Sequence, residues 1–129
     1  MHPNQNPKLD DPVLLASLEA KVATLKTDLA AWAAELPAIT LANSLGAEDM
    51  VLTDVIATLQ LPIEIFSLDT GRLPLETYAL MAKVQEHYGL KLKFFYPQHE
   101  AVESFTREHG INGFYDSVAL RKACCHARK

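Results

Sequence analysis

The sequence predicts an α/β protein in which a parallel sheet lies between two layers of helices, a three-layer arrangement. Three short apolar runs of four or five residues indicate buried strands, and each is followed by a helical pattern of 11 to 14 residues. Strands that alternate with helices predict right-handed connections and parallel pairing. Three strands make a small sheet, so we expect further strands beyond Lys129 and a fold that is incomplete at its C-terminal end.

Composition is that of an ordinary globular protein. The chain has 129 residues, of which 49% are hydrophobic and 22% charged. A formal net charge of −4 argues against nucleic acid or an anionic membrane as a partner. No stretch is apolar and long enough to cross a bilayer, and residues 1–11 read as a disordered lead-in without a signal peptide. We therefore expect a cytoplasmic protein.

Residues 12–37 are predicted to form an N-terminal amphipathic helix, with Asp11 as its cap, Pro12 in its first turn and Pro37 at its end. Its apolar residues recur in steps of three and four, which places them on one face: Leu15, Leu18, Val22, Leu25, Leu29, Trp32 and Leu36. This stripe fits a homo-oligomer or a helix packed on its own domain. We favour the second, because about three heptads are a minimum for a coiled coil.

The α/β domain is predicted to occupy residues 38–129. Strands are expected at residues 39–42, 64–68 and 92–96, and helices at residues 47–59, 75–88, 99–109 and 117–129. Gly89 and Gly110 cap the second and third of these helices. The first is expected to bury one set of apolar residues: Val51, Leu52, Val55, Ile56 and Leu59.

Ligands of open parallel sheets bind at the carboxyl ends of the strands, and the loop after the first strand has that position. Its residues are Ser44, Leu45, Gly46, Ala47, Glu48 and Asp49. Gly46 lets the backbone approach a ligand, and N–H groups at the helix start can hold phosphate or sulfate. The carboxylates of Glu48 and Asp49 are expected to point away from that anion. An ordinary turn with a capping serine explains the same residues, and a single glycine favours that simpler interpretation.

The loop after the second strand lies at the equivalent edge and consists of Leu68, Asp69, Thr70, Gly71 and Arg72. Asp69 and Thr70 can hydrogen-bond a ribose or the edge of a base, and Arg72 can face an anion or lie on the surface. Taken alone, these residues fit a plain strand-to-helix turn at least as well.

The only two cysteines are adjacent, Cys124 and Cys125, and neighbours rarely form a bridge because their Cα atoms are too close. Thiolates in a reducing compartment indicate a metal or redox role, with zinc or an iron–sulfur cluster as candidates. Four basic residues flank them: Arg121, Lys122, Arg128 and Lys129, the last one helical turn after Cys125. The alternative is two structural cysteines beside a solvated basic face. Two thiolates cannot complete a metal site, so either two chains share a metal or partner cysteines are missing.

Together these three segments resemble the adenylyl-sulfate and phosphoadenylyl-sulfate reductases. Residues 44–54 look like that family's substrate-binding loop, residues 68–73 with Glu76, Thr77 and Tyr78 like its second nucleotide-binding segment, and residues 121–125 with Arg128 and Lys129 like its tandem-cysteine segment. The likeness runs from about residue 41 to the last residue and keeps the family's order.

The resemblance implies an adenine-nucleotide α-hydrolase-like fold that binds adenylyl sulfate through the two loops and Lys129. It also implies a [4Fe–4S] cluster on Cys124 and Cys125, a mark of the branch that uses the substrate without a 3′-phosphate. In this family a cysteine near the C-terminus attacks the sulfate sulfur and releases AMP, and thioredoxin then frees sulfite. That cysteine, a Cys-x-x-Cys pair and an arginine-rich loop are not in this sequence, so we expect a fragment without turnover of its own.

Three alternatives stay open. An ATP pyrophosphatase of the related fold uses a Ser-Gly-Gly-x-Asp-Ser loop, whereas this loop has one glycine. The phosphoadenylyl-sulfate branch lacks tandem cysteines. A non-catalytic module that binds AMP and dimerises through the first helix predicts a stable dimer without iron.

Overall fold

The structure, a computed structural model, describes residues 10–129, so most of the predicted lead-in lies outside the described residues. The elements in chain order are α1 (Pro12–Glu35), β1 (Thr40–Ala42), α2 (Ala47–Thr58), β2 (Glu64–Leu68), α3 (Leu75–Tyr88), β3 (Lys93–Phe95), α4 (His99–His109), a short 3₁₀ turn (Gly113–Tyr115) and α5 (Val118–Arg128). Each predicted helix and strand is confirmed, with ends that differ by at most two residues. The 3₁₀ turn was not predicted.

The three strands form one parallel sheet in the order β1-β2-β3. Leu41 lies opposite Ile65, and Ser67 lies opposite Phe94, which fixes the register. The predicted α/β class with a parallel sheet is therefore confirmed. Within residues 10–129, no helix combines the length and the apolar character needed to cross a membrane.

A single apolar cluster joins β2 to the first three helices. Its buried members are Leu29 of α1, Val55 and Ile56 of α2, Ile63 and Ile65 at β2, Val84 of α3, and Leu92. Since alternate residues of a strand point to opposite faces, Ile65 and the cluster mark one face of the sheet. The other face carries Phe66, which is half-buried, and Leu68 and Phe95, which are exposed.

The predicted buried stripe of α2 is partly wrong. Val51 is 51% exposed and Leu59 is 39% exposed, whereas Thr53 is completely buried. Thr53 tolerates this position because its hydroxyl donates to the Asp49 carbonyl at 2.8 Å and accepts from the Asn43 amide at 2.8 Å. The helix face turned to the core is therefore shifted toward a residue that a hydrophobic pattern counts as polar.

Helix α1 begins at the predicted residue, ends two residues before the predicted end, and packs over only part of its length. The Asp11 carboxylate accepts from the Val13 N–H at 2.9 Å and so caps the helix. Leu29 is buried in the central cluster, whereas Leu18 and Trp32 are 53% and 48% exposed. The helix therefore packs on its own domain, as expected, but through the part around Leu29 and not through the whole apolar stripe.

The C-terminal third is a small assembly in which α4, the 3₁₀ turn and α5 contact one another. Gly113 is buried against α4, and a Cβ atom there would lie 2.9 Å from the Cβ atom of His109. Only glycine allows this close approach without a shift of the backbone. A turn of three residues has no periodicity, which is why the hydrophobic pattern did not reveal it.

The packing of α1 predicts different costs for one substitution at two places in the same helix. Leu29→Ala should lower the free energy of unfolding by about 2–5 kcal/mol, because it leaves a cavity in the core. Leu18→Ala, at an exposed position, should change it by about 0.5 kcal/mol or less. Urea unfolding followed by circular dichroism measures both, and equal costs would contradict the packing described.

Candidate functional site

Both predicted loops start at the same edge of the sheet. The Asn43 N–H donates to the Phe66 carbonyl at 2.7 Å, and the Asp69 N–H donates to the Phe95 carbonyl at 2.8 Å. These bonds continue the pairing of β1 with β2 and of β2 with β3 by one residue. The loops therefore leave the carboxyl ends of neighbouring strands, which is where parallel sheets bind ligands.

Asn43 organises the first loop, although it was not among the predicted site residues. The residue is buried, with 3% of its surface exposed. Its Oδ1 atom accepts from the Leu45 N–H at 2.6 Å, and its Nδ2 atom donates to the Thr53 hydroxyl at 2.8 Å. Leu45 has a φ of +67°, a left-handed conformation that is unfavourable for a branched side chain. The buried amide fixes this bend, and an Asn at a strand end is the signal that could have revealed it.

The first turn of α2 has donors available for a ligand. Gly46 is the N-cap and contributes no side-chain cap, so the first N–H groups of α2 are not satisfied in that way. The predicted capping serine is therefore wrong. Ser44 lies two residues earlier, and its hydroxyl accepts from the Gly46 N–H at 3.3 Å instead.

Asp49 turns back onto the first loop. Its Oδ2 atom accepts from the Ser44 hydroxyl at 2.6 Å and from the Ser44 N–H at 2.7 Å. These hydrogen bonds, the hydroxyl first, hold the pKa of Asp49 below its ordinary value of 3.8. The expectation that Glu48 and Asp49 point away from an anion at this loop is wrong for Asp49, whose carboxylate lies on the loop and occupies the donors of Ser44. An anion at this loop would use the N–H groups of α2 rather than Ser44.

The second loop is braced by Asp69, which is 9% exposed. Its Oδ1 atom accepts from the Gly71 N–H at 2.7 Å and from the Tyr78 hydroxyl at 2.8 Å. The hydrogen bond to Asp69 is the main cause that raises the pKa of Tyr78 above its ordinary value of 10.0. Gly71 has a φ of +73°, which its lack of a side chain allows. With Oδ1 used twice within the protein, Asp69 positions the loop, and Oδ2 is left for a ligand.

Two arginines connect the second loop to the C-terminal third. Arg128 of α5 donates from Nη1 to the Thr70 carbonyl at 2.8 Å. Arg72 donates in the other direction, from Nη1 to the Ile111 carbonyl at 2.8 Å and from Nη2 to Oδ1 of Asn112 at 2.7 Å. The chain thereby brings residues that are 58 positions apart into direct contact.

The two cysteines lie at this junction. Cys124 is buried and Cys125 is exposed, both as free thiols. Among residues 10–129 no group of three or more His, Cys, Asp or Glu side chains is placed to hold a metal ion, so the thiols have no third ligand of these types there. Lys129 follows α5, and its N–H donates to the Cys125 carbonyl at 3.0 Å.

A pocket of about 220 Å³ lies between the second loop and α5. It is lined by Thr70, Arg72, Phe114, Tyr115, Cys124, Cys125 and Arg128. The structure thus brings together the second predicted loop and the predicted metal ligands, together with an aromatic pair that sequence reasoning missed. The first loop lies at the neighbouring strand end and does not line this pocket. A larger cavity of about 280 Å³ lies at the start of β2 beside Tyr88, away from both loops.

Comparison with known proteins gives one consistent result. Residues 38–129 match the family model described as phosphoadenosine phosphosulfate reductase domain. The chain is 47% identical over 116 residues to adenosine 5′-phosphosulfate reductase of Burkholderia cepacia, covering 90% of this chain and 46% of that protein. The protein of the same name from Allochromatium vinosum is 52% identical over 95 residues, covering 74% and 37%. That of Neisseria meningitidis serogroup A is 41% identical over 114 residues, covering 88% and 47%. The chain spans less than half the length of these relatives.

The contact between Ser44 and Asp49 predicts a measurable pKa change. A carboxyl whose pKa is lowered by folding stabilises the folded state at pH values above its ordinary pKa. That stabilisation is lost as the pH falls through the lowered pKa. Ser44→Ala removes the stronger of its two donors, so the pKa of Asp49 should rise toward 3.8. Carboxyl NMR titration measures it, with Ser104→Ala on α4 as the control. An unchanged pKa in Ser44→Ala would contradict the geometry of this loop.

Proposed function

Because the chain belongs to the phosphoadenosine phosphosulfate reductase domain family, we propose that it serves the reduction of adenylyl sulfate. In this reaction adenylyl sulfate and reduced thioredoxin give sulfite, AMP and oxidised thioredoxin. The relatives that carry the name adenosine 5′-phosphosulfate reductase support this substrate over its 3′-phosphorylated form. A reduced pair of thiols fits a cytoplasmic protein.

One observation carries the proposal beyond the family. The hydrogen bond from Arg128 to the Thr70 carbonyl docks the cysteine helix on the second loop, at the carboxyl edge of the sheet. A nucleotide held by that loop would lie beside the cysteines and the basic end of α5. Reduction of the sulfate requires the bound nucleotide to lie close to the groups that act on sulfur, and neither the loop nor the helix achieves this alone.

We assign the nucleotide contacts to the two loops. The N–H groups at the start of α2, with the positive end of that helix, are suited to the anionic group of adenylyl sulfate. Asp69 and Thr70 offer oxygens to the ribose or the base. Lys129, at the exposed end of α5, supplies a cation that can approach the sulfate. Within this proposed substrate site, Ser44, Asp49 and Arg72 would act by shaping the loops. The residues assigned to the site, by contact or by position, are Ser44, Leu45, Gly46, Ala47, Glu48, Asp49, Leu68, Asp69, Thr70, Gly71, Arg72 and Lys129.

The cysteines fit half of a [4Fe–4S] site. Cys124 and Cys125 would provide two of the four thiolates that such a cluster takes. The Nε atom of Arg128 is buried and has no hydrogen-bond partner, in a side chain that lines the same pocket as both thiols. A buried donor without an acceptor is costly, and an anionic thiolate-ligated group would satisfy it. A cluster bound here would therefore supply negative charge close to Thr70 and Arg128.

The proposal predicts that the chain binds AMP and adenylyl sulfate and that Lys129 contributes to their affinity. Lys129→Ala should weaken binding of both by about tenfold, because it removes a charge-assisted contact. Lys83→Ala, which removes an exposed lysine of α3, is the matched control and should leave the affinity unchanged.

Titration calorimetry at fixed ionic strength measures these affinities. Absence of AMP binding by the unaltered chain would contradict the proposed function. Binding of ATP much tighter than that of AMP would favour an ATP pyrophosphatase of the related fold instead.

A further inference from the structure

The guanidinium of Arg72 contacts the segment that links α4 to α5. Nη1 lies 2.8 Å from the Ile111 carbonyl oxygen, and Nη2 lies 2.7 Å from Oδ1 of Asn112. The Cζ atom of Arg72 also lies over the ring of Phe114, 4.5 Å from its centroid. One side chain thus contacts three residues of the segment that links α4 to α5: Ile111, Asn112 and Phe114.

This arrangement uses properties that only arginine has. A planar fork presents two parallel donors and stacks on an aromatic face, whereas lysine is a point charge without that geometry. Each terminal nitrogen already gives one of its two N–H groups to an acceptor of the protein, so Nη1 and Nη2 could grip a sulfate or phosphate end-on only if the contact broke. A residue that grips an anion would present the same two nitrogens to the ligand.

The segment that Arg72 holds forms one wall of the pocket. Phe114 and Tyr115 line it together with Thr70 and the two cysteines. The side chains of Ile111 and Tyr115 are 69% and 70% exposed, so they anchor the segment only weakly by apolar burial. The second loop is therefore connected to the C-terminal third twice. Arg72 reaches from the loop to residues 111 and 112, and Arg128 reaches from α5 to the loop.

We propose that Arg72 is a positioning residue that fixes residues 111–115 against the second loop, rather than a contact to the anionic part of the substrate. The inference rests on the proposed function for the identity of the ligand, but the contact itself is a property of the protein. It assigns to Arg72 a role in forming the pocket wall, and it makes Asn112 a partner in that role.

Hydrogen exchange of the free protein tests the contact without a ligand. Arg72→Ala should speed exchange of amides in residues 111–118 on the order of tenfold, with β2 unaffected. Asn112→Ala removes one acceptor and should speed the same amides to a smaller extent. The double variant should exchange no faster than Arg72→Ala, because the two residues act through one contact. Arg107→Ala, an exposed arginine of α4, is the control for loss of a positive charge.

Exchange in residues 111–118 that is unchanged in Arg72→Ala overturns the inference, and so does strict additivity of the two single variants. If Arg72→Ala does not fold, Arg72→Lys and Asn112→Ala carry the same test. Lysine cannot make both hydrogen bonds, so faster exchange in Arg72→Lys supports the inference and wild-type exchange overturns it.

Binding of AMP and of adenosine then separates positioning from direct contact. If Arg72 acts by positioning, Arg72→Ala should lower the affinities for AMP and for adenosine by the same factor, about five- to tenfold. Asn112→Ala should lower both affinities to a lesser degree. Loss of AMP affinity with unchanged adenosine affinity overturns the inference, because only AMP carries the phosphate. If the unaltered chain binds neither ligand, the proposed function fails, and the exchange experiment still decides the role of Arg72.

Discussion

The hydrogen bond between Arg128 and the Thr70 carbonyl is the interaction on which the site depends. The sheet and its first three helices form a cluster that does not need α5, and α4, the 3₁₀ turn and α5 contact one another. Arg128 joins the two parts at the carboxyl edge of the sheet, and Arg72 adds a second connection from the same loop. Without this junction the cysteines and the loops proposed to bind a nucleotide would be separate features of the chain.

The two loops are fixed by buried polar groups rather than by apolar packing. Asn43 holds the first loop and Asp69 holds the second, each through hydrogen bonds to backbone N–H groups two residues ahead. Such short side-chain contacts bend the backbone away from the strand at once. In the first loop this bend puts Leu45 in an unfavourable left-handed conformation. The conformation persists because the buried Asn43 side chain holds the Leu45 N–H.

Sequence reasoning recovered the class of fold and the order of its elements because periodicity and caps carry that information. The helix at His99–His109 and its cap Gly110 were predicted with the bounds observed. The same reasoning overestimated the burial of Val51 and Leu18, because it treats every apolar residue on a helix face as packed. Thr53 and Asn43 were missed because their burial depends on a partner ten positions away. The link between Arg128 and Thr70 depends on the three-dimensional path of 58 residues, which no local pattern contains.

The central claim is that a nucleotide on the second loop lies beside the cysteine helix. Cys125 is the exposed thiol, and the sequence has only one other cysteine, which is buried, so alkylation reports on this position. The rate of Cys125 alkylation by iodoacetamide should fall several-fold at saturating AMP, and Arg128→Ala should abolish that protection. A rate that is unchanged when AMP is bound would contradict the claim and separate the nucleotide site from the cysteines.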